Sequence, residues 1–253
     1  MPSHRRIVLK FGSGILARAR GSGLDEKQFR RLTSEIAALV KKGHQCVVVS
    51  SGAVAAGLGV LGLKERPESL AARQACAAVG QSKLMESYAR HFARHKLNVA
   101  QLLLTHGDLD SRTRHENARN TLEHLLTQRR VVPVINENDS VAVEELKFGD
   151  NDRLSAEVAM LAKADLLILL TSVDGLLDQQ GRTVREVRNI DDVASLARDE
   201  KGKFSVGGMV SKLQAVKLAV SAGISTTIAS GLLPAQIPAA VAGRRVGTRF
   251  AAK

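Results

Sequence analysis

The sequence predicts an α/β protein whose mainly parallel sheet is covered by helices on both faces. Apolar, β-branched runs alternate with helical patterns along the 253 residues, and this alternation is typical of parallel sheets. The runs CVVVS, from Cys46, and LLILLT, from Leu166, are almost continuously apolar, which indicates strands buried on both faces. Aromatic residues make up only 3% of the chain and Trp is absent, so the core must be aliphatic.

Each strand and helix is predicted from the period of its apolar residues. The predicted strands are Arg6–Phe11, Gln45–Ser51, Asn98–Thr105, Val131–Ile135, Leu166–Thr171 and Thr226–Ala229. The predicted helices are Glu26–Lys42, Leu70–Lys96, Thr113–Gln128, Arg153–Lys163 and Ser211–Ala222. Val141–Gly149 and Leu177–Val206 follow neither period and are predicted to be irregular. Ligands bind at the carboxyl ends of strands in open α/β sheets, so functional residues are sought there.

The charge of the chain favours an anionic ligand. There are 37 Lys and Arg against 25 Asp and Glu, a formal net charge of +12. This suits a nucleotide or nucleic acid, but the basic residues are scattered and stacking aromatics are nearly missing, so nucleic acid is the weaker interpretation. No apolar run approaches the roughly 20 residues of a membrane span, and the N-terminus does not resemble a signal peptide.

The cysteines and histidines do not indicate a disulfide framework or a metal site. Cys46 and Cys76 lack metal-ligand spacing, and we expect them to be buried thiols in a cytoplasmic protein. His91 and His95 are four residues apart without an acid at metal spacing, and we expect them to be solvated helix residues.

The segment KFGSG, from Lys10 to Gly14, lies at the end of the first predicted strand. Gly12 and Gly14 would let the backbone turn tightly and leave N–H groups for phosphate oxygens, and Lys10 would add a positive charge. The overlapping run GSGILA fits the dinucleotide pattern G-x-G-x-x-G/A, so an NAD(P)-binding oxidoreductase is an alternative. That pattern requires an acid after the second strand, where this chain has VVVSSGA.

Three further segments place polar residues at strand ends or helix starts. SSGAVAAG, Ser50–Gly57, would form a cradle for an oxyanion or carboxylate, or a plain helix N-cap. After the strand LLILLT, Thr171, Ser172 and Asp174 would hold a ribose or base, or form a turn. SVGGMVSK places Lys212 in the first turn of a helix, where a lysine opposes the macrodipole. This misfit suggests that Lys212 serves an anion.

Together these motifs resemble the amino acid kinase family. The resemblance rests on VLKFGSGIL, VVVSSGAVAAG, VVPVINENDSVA joined to KFGDNDRLSA, and GGMVSKLQAV, and it extends from Ile7 to Phe250. The pair INENDSVA and GDNDRLSA is typical of the branch that phosphorylates glutamate, rather than the branches that use acetylglutamate, aspartate, carbamate or UMP.

The resemblance implies a three-layer α/β/α sandwich, the amino acid kinase fold, as a single domain over residues 1–253. It implies ATP-dependent phosphorylation of the L-glutamate γ-carboxylate to L-glutamyl 5-phosphate, the first step of proline biosynthesis, with Mg²⁺ accompanying ATP. Homodimers or tetramers and feedback inhibition by proline are also implied. The chain ends at Lys253, so the C-terminal PUA domain of many bacterial members is not expected.

The resemblance assigns roles by motif position. Lys10 and Lys212 resemble the lysines that hold the transferring phosphoryl group, and Asp152 resembles the aspartate that orients them. The implied glutamate contacts are Ser51, Gly52, Asp139, Asp150 and Asn151. The implied ATP contacts are Lys10, Gly12, Gly14, Thr171, Ser172, Asp174, Val206, Gly207, Gly208, Met209, Ser211 and Lys212. Ser172 departs from the family, where many members have Asp, and no direct metal ligand is predicted.

The resemblance also gives a role to the acids gathered between Val134 and Ala159. A glutamate γ-carboxylate has an ordinary pKa of about 4.3 and is already ionised near pH 7, so no base is needed to activate it. The acids remain available to bind the substrate ammonium, to position the lysines and to hold Mg²⁺ indirectly. Glu144, Glu145 and Glu157 are expected only to be solvated.

Overall fold

The computed structural model describes residues 4–18, 22–142, 151–196 and 208–252. Its strands are β1 (Arg6–Phe11), β2 (Gln45–Ser50), β3 (Asn98–Leu104), β4 (Val131–Glu137), β5 (Leu166–Thr171), β6 (Glu186–Val187), β7 (Ser225–Ser230) and β8 (Thr248–Phe250). Its helices are α1 (Ser13–Leu16), α2 (Glu26–Lys41), α3 (Ala53–Val60), α4 (Leu70–Ala93), α5 (His106–Asp110), α6 (Arg112–Thr127), α7 (Asn151–Leu161), α8 (Met209–Ser221) and α9 (Gln236–Val241), with a 3₁₀-helix over Ile190–Leu196.

The eight strands form one sheet in the order β3-β4-β2-β1-β5-β7-β8-β6. Among the described strands every pairing is parallel except that of β7 with β8, which is antiparallel. The central strand β1 pairs with β2 on one side and β5 on the other. The carboxyl ends of these three strands therefore open onto the same edge. The predicted α/β class with a mainly parallel sheet is confirmed.

Alternate side chains of β1 enter two core layers on opposite faces of the sheet. Ile7, Leu9 and Phe11 belong to the layer formed with α2 and α4, whereas Val8 belongs to the layer formed with α6, α7 and α8. Both layers are mainly aliphatic, as the composition predicts, but the layer with α2 and α4 also contains Phe11, Phe29, Tyr88 and Phe92. Because neighbouring side chains of a strand point to opposite faces, Lys10 lies on the side of α7 and α8.

The boundaries of the predicted elements differ from the observed ones by at most three residues. The additional elements α1, α3, α5, α9, β6 and β8 are short and were not predicted. The prediction that Leu177–Val206 is irregular is wrong in part, since β6 and the 3₁₀-helix lie within it. Of Val141–Gly149, only the first two residues fall within the described part of the chain.

Side-chain caps explain where two of the helices begin. The carboxylate of Asp25 accepts hydrogen bonds from the backbone N–H groups of Lys27 at 2.9 Å and Gln28 at 3.2 Å, which starts α2. Thr105 and Asp108 form a reciprocal capping box at the start of α5. Such caps satisfy N–H groups that have no partner inside the helix.

Helices α3 and α4 pack backbone against backbone through two glycines. An added Cβ at Gly57 would lie 1.9 Å from the carbonyl oxygen of Cys76, and one at Gly80 would lie 1.8 Å from that of Ala53. Neither helix can move away without opening the core, so the contact fixes the turn that enters α3 after β2.

Two expectations about isolated residues are tested by burial. Cys46 and Cys76 are free and buried, as expected, and burial raises the pKa of the Cys46 thiol to about 12. The expectation that His91 is solvated is wrong: the residue is buried, and its Nε2 lies 2.6 Å from Oε2 of Glu26.

None of the helices in the described segments combines the length and the apolar character that crossing a membrane requires.

Candidate active site

Three charged side chains from distant parts of the sequence meet near the carboxyl end of β1. Nζ of Lys10 donates a hydrogen bond to Oδ1 of Asp152, and Nζ of Lys212 donates one of 3.0 Å to Oδ2. All three residues are buried, and Asp152 is only 1% exposed. One carboxylate therefore holds two ammonium groups, and this trio carries a net positive charge.

Each member of the trio is placed by the element that carries it. Lys10 is the second-to-last residue of β1, on the face that packs against α7 and α8. Asp152 lies in the first turn of α7, where the positive end of the helix dipole favours a carboxylate. Lys212 lies in the first turn of α8, which by itself disfavours an ammonium group. The ion pair with Asp152 offsets that misfit.

The ionisation of Asp152 is controlled by the two lysines. Burial alone would raise the pKa of this carboxyl, but the charges and hydrogen bonds of Lys10 and Lys212 outweigh burial and lower its pKa to about 2. Asp152 is therefore a carboxylate at neutral pH and a poor proton acceptor. It is suited to hold the lysines in place, as the resemblance implies.

The start of α8 contributes two more of the predicted ATP contacts to this cluster. Oγ of Ser211 lies 3.0 Å from Oδ2 of Asp152 and 3.0 Å from the carbonyl oxygen of Gly208. Nζ of Lys212 lies 3.5 Å from the same carbonyl oxygen. Met209, by contrast, packs against the core.

The two glycines after β1 differ in their relation to the trio. An added Cβ at Gly12 would lie 3.7 Å from Nζ of Lys10, so the backbone there passes close to the ammonium group and leaves room for a ligand beside it. Gly14 lies in α1, with no atom within 4 Å of an added Cβ. The structure thus brings Gly12, but not Gly14, to the lysine.

The predicted glutamate contacts Ser51 and Asn151 are joined directly. Nδ2 of Asn151 lies 2.9 Å from Oγ of Ser51, 3.0 Å from the carbonyl oxygen of Ser50 and 3.0 Å from Oδ1 of Asn136. Three acceptors thus surround one amide nitrogen. Within the described part of the chain, Oδ1 of Asn151 is buried and accepts no hydrogen bond. Gly52 allows the turn next to Ser51, because its φ of +108° lies in a region of backbone conformation that residues with a Cβ rarely adopt.

A cavity of ≈ 250 Å³ opens beside this group of amides. Its lining residues come from α3, α4 and the ends of β3 and β4: Ala53, Ala77, Ala78, Gln81, Ser82, Gln101, Leu103, Glu137, Asn138, Asp139 and Ser140. The described lining contains the carboxylates of Glu137 and Asp139, and the guanidinium of Arg66 lies near enough to Asp139 to interact with its charge. A larger cavity of ≈ 330 Å³ lies at the amino ends of the strands, around Asp165 and Thr227, and none of the predicted site residues line it.

The predicted nucleotide residues after β5 lie at the same edge of the sheet as Lys10. Thr171 is the last residue of β5, whose neighbour on one side is β1. Ser172 follows it, and Oδ2 of Asp174 lies 3.4 Å from Nη1 of Arg185. Three other predicted contacts, Asp150, Val206 and Gly207, lie outside the described residues.

One prediction about the acids is wrong, and a histidine was missed. Glu157 was expected to be solvated, but its side chain is only 15% exposed. Its Oε2 lies 2.8 Å from Nδ1 of His106 and its Oε1 lies 2.8 Å from Nε of Arg153. His106 has no partner near it in sequence, so only the fold reveals the pair. Gln81 and Asn136 were also missed, although Asn136 lies in the quoted segment VVPVINENDSVA.

The described residues contain no group of three His, Cys, Asp or Glu side chains placed to hold a metal ion. The carboxylate of Asp152 is instead bound by two ammonium groups.

Comparisons with known proteins identify the family of this chain. The profile of the amino acid kinase family matches residues 5–230, and the chain belongs to that family. It is 47% identical to the glutamate 5-kinase of Geobacter metallireducens, over 97% of this chain and 67% of the relative. It is 45% identical to the glutamate 5-kinase of Desulfitobacterium hafniense, over 99% of this chain and 69% of the relative. The chain thus spans about two thirds of the length of these relatives.

Two solved structures share the fold. Carbamate kinase from Giardia lamblia, bound to AMP-PNP, superposes with a TM-score of 0.68 at 16% identity, covering 99% of each chain. UMP kinase from Bacillus anthracis superposes with a TM-score of 0.63 at 15% identity, covering 99% of this chain and 97% of that one. The predicted amino acid kinase fold is confirmed, and the family assignment disfavours both the oxidoreductase and the nucleic-acid alternatives.

Proposed function

We propose that this protein is a glutamate 5-kinase, which transfers the γ-phosphoryl group of ATP to the γ-carboxylate of L-glutamate and begins proline biosynthesis. The observation that carries the proposal is the pair of buried lysines held on the carboxylate of Asp152. The carboxylate holds the two ammonium groups in place, where they can interact with a group of developing negative charge. The high identity to glutamate 5-kinases supports glutamate as the acceptor.

The proposed reaction needs no catalytic base. A γ-carboxylate oxygen of glutamate forms a bond to the γ-phosphorus of ATP, and the bond from that phosphorus to the β,γ-bridging oxygen breaks. The electron pair of the broken bond leaves with ADP, and glutamyl 5-phosphate is the other product. Phosphoryl transfer depends mainly on positioning and electrostatic stabilisation, which Lys10 and Lys212 would supply at the transferring oxygens.

Glutamate, the phosphoryl acceptor, is proposed to bind in the cavity of ≈ 250 Å³. Asp139 lines it, and the buried Oδ1 of Asn151 has hydrogen-bonding capacity left within the described residues. Both groups accept hydrogen bonds, and both suit the α-ammonium of glutamate. Asn151 precedes Asp152 in the chain, so a glutamate molecule held by Asn151 would lie close to the two lysines.

Mg²⁺ is proposed to reach the site as part of the substrate, bound to the phosphates of ATP. No step is assigned to a protein-bound ion.

Three further properties are proposed from the family resemblance. They are assembly as a homodimer or tetramer, feedback inhibition by proline, and location in the cytoplasm, where glutamate and ATP are available. Light scattering of the purified protein and the glutamate-dependent rate with and without proline test the first two.

A direct test traps the product. With ATP, Mg²⁺ and glutamate, hydroxylamine should convert the acyl phosphate to γ-glutamyl hydroxamate in amounts equal to the ADP released. Addition of NAD(P)H should produce no glutamate-dependent change in nicotinamide fluorescence. ADP release that is independent of glutamate, or no hydroxamate, would contradict the proposal.

A further inference from the structure

Gln81 belongs to a chain of four side-chain amides that ends at Asn151. Nδ2 of Asn151 donates to Oδ1 of Asn136 at 3.0 Å, and Nδ2 of Asn136 donates to Oε1 of Gln81 at 2.8 Å. Nε2 of Gln81 donates in turn to Oε1 of Gln101 at 3.1 Å. Each amide thus presents its nitrogen to the oxygen of the next, in one direction throughout.

Two backbone groups fix that direction at the Asn151 end. The backbone N–H of Glu137 donates to Oδ1 of Asn136 at 2.9 Å, and the backbone carbonyl of Ser50 accepts from Nδ2 of Asn151 at 3.0 Å. A backbone N–H cannot accept a hydrogen bond and a backbone carbonyl cannot donate one. Neither Asn136 nor Asn151 can therefore turn its amide over without losing a bond.

In this fixed orientation the amide nitrogen of Asn136 needs a hydrogen-bond acceptor, and Oε1 of Gln81 supplies it. Asn136 is only 1% exposed, so water has almost no access to its amide nitrogen. A buried donor that loses its acceptor is costly, and Asn136 would then rotate in search of another. That rotation would remove one of the three acceptors around Nδ2 of Asn151 and shift this amide, whose remaining oxygen is the group proposed to meet the substrate.

We propose that Gln81 is a positioning residue for the acceptor substrate, which acts through Asn136 on Asn151 and thereby sets the affinity for glutamate. The inference rests on the proposed function. Gln81 also lines the ≈ 250 Å³ cavity, but its described hydrogen bonds lead to other amides rather than to the phosphoryl-holding lysines. Its effect should therefore fall on KM for glutamate and not on KM for ATP.

Gln81→Met preserves the shape of the side chain and removes the acceptor. We expect KM for glutamate to rise about tenfold, the value of one lost hydrogen bond to a buried group, while KM for ATP stays within about twofold. Gln81→Ala should give a smaller rise, because truncation admits water that can accept from Asn136. If Gln81→Met fails to fold, Gln81→Ala decides, and KM for glutamate must still exceed the wild-type value at least about twofold.

A double-mutant cycle with Asn136→Ala separates positioning from a merely structural role. If Gln81 acts through Asn136, adding Gln81→Met to Asn136→Ala should raise KM for glutamate little further. Gln128→Met, the same change at an exposed position before β4, is the matched control and should leave both KM values unchanged. An unchanged KM for glutamate in the Gln81 variants, or full additivity in the cycle, would overturn the inference. Lack of glutamate-dependent turnover in the wild type would instead overturn the proposed function.

Discussion

Nζ of Lys212 lies 3.0 Å from Oδ2 of Asp152, an ion pair that joins the first turns of two helices across 60 residues of chain. The other carboxylate oxygen is bound by Lys10, so two lysines share one buried anion. The carboxylate thus fixes the positions of both ammonium groups, and in the proposed function these groups bind the transferring phosphoryl group.

Replacing Lys212 with Met should leave a folded protein whose turnover number falls about 10²–10³-fold, the typical effect of removing one preorganised donor. Lys10→Met should behave similarly. Steady-state ADP release with glutamate measures the effect. Lys217→Met is the matched control, because this lysine lies on the same helix, is exposed and pairs with Asp191 at 2.9 Å. The turnover number of this variant should be unchanged. Near-normal turnover in Lys212→Met would remove the lysine from the mechanism.

Asp152→Asn should lower turnover more than it weakens glutamate binding. The amide keeps the shape of the side chain but loses the charge that holds both lysines, and this loss should be felt mainly when negative charge develops in the transition state. Initial rates over a range of glutamate concentrations separate the two effects. A large rise in KM for glutamate at unchanged turnover would make Asp152 a substrate ligand instead.

The pair of His106 and Glu157 should make stability depend on pH. The hydrogen bond that His106 donates to Glu157, and the negative charge of Glu157, raise the pKa of His106 above its ordinary value, against the opposing effect of burial. Such a group stabilises the fold fully below its unfolded pKa near 6.5, and the contribution is lost as pH rises through the folded value.

His106→Gln should therefore melt about 2–4 °C below the wild type at pH 6, and the difference should shrink toward pH 9. His124→Gln, the same change at an exposed position of α6, should melt with the wild type at both pH values. A His106→Gln difference that grows with pH would show that the pair does not stabilise the charged histidine.

Gly80→Ala should destabilise the fold by at least about 1–3 kcal/mol, the usual cost of overpacking a core. The added Cβ would lie 1.8 Å from the carbonyl oxygen of Ala53, so one of two helix backbones must shift. Gly107→Ala is the control, because its Cβ would make an ordinary contact of 3.7 Å with Oγ1 of Thr105. Equal melting temperatures for the two variants would contradict the close backbone packing.

The sequence was informative wherever a signal is local. Continuous apolar runs located β2 and β5 because parallel strands are buried on both faces, and the helix-start position of Lys212 already indicated an anion. The pairing of His106 with Glu157 and the chain through Gln81 and Asn136 could not be predicted. Their partners lie far apart in sequence and meet only through the strand order and the packing of α4.

The short elements were missed for a different physical reason. Helix α3 consists of AVAAGLGV and has no polar face to reveal a helical period, while β6 has only two residues. Such segments adopt their structure because neighbouring elements pack against them. Among the acids of the stretch from Val134, the family resemblance already assigned Asp152 to the lysines, whereas the contact of Glu157 with His106 became apparent only in the fold.

The most direct test of the account is the ratio of kcat/KM for glutamate to that for N-acetylglutamate. The α-ammonium is proposed to meet Asp139 and Asn151 in a cavity whose described lining contains the carboxylates of Glu137 and Asp139. Acetylation removes that charge, adds bulk and leaves the buried Oδ1 of Asn151 without the ammonium donor. We expect glutamate to be preferred by at least about 10²-fold in a coupled ADP assay, a difference of about 2.7 kcal/mol. Comparable kcat/KM values for the two substrates would show that these residues do not bind the ammonium group.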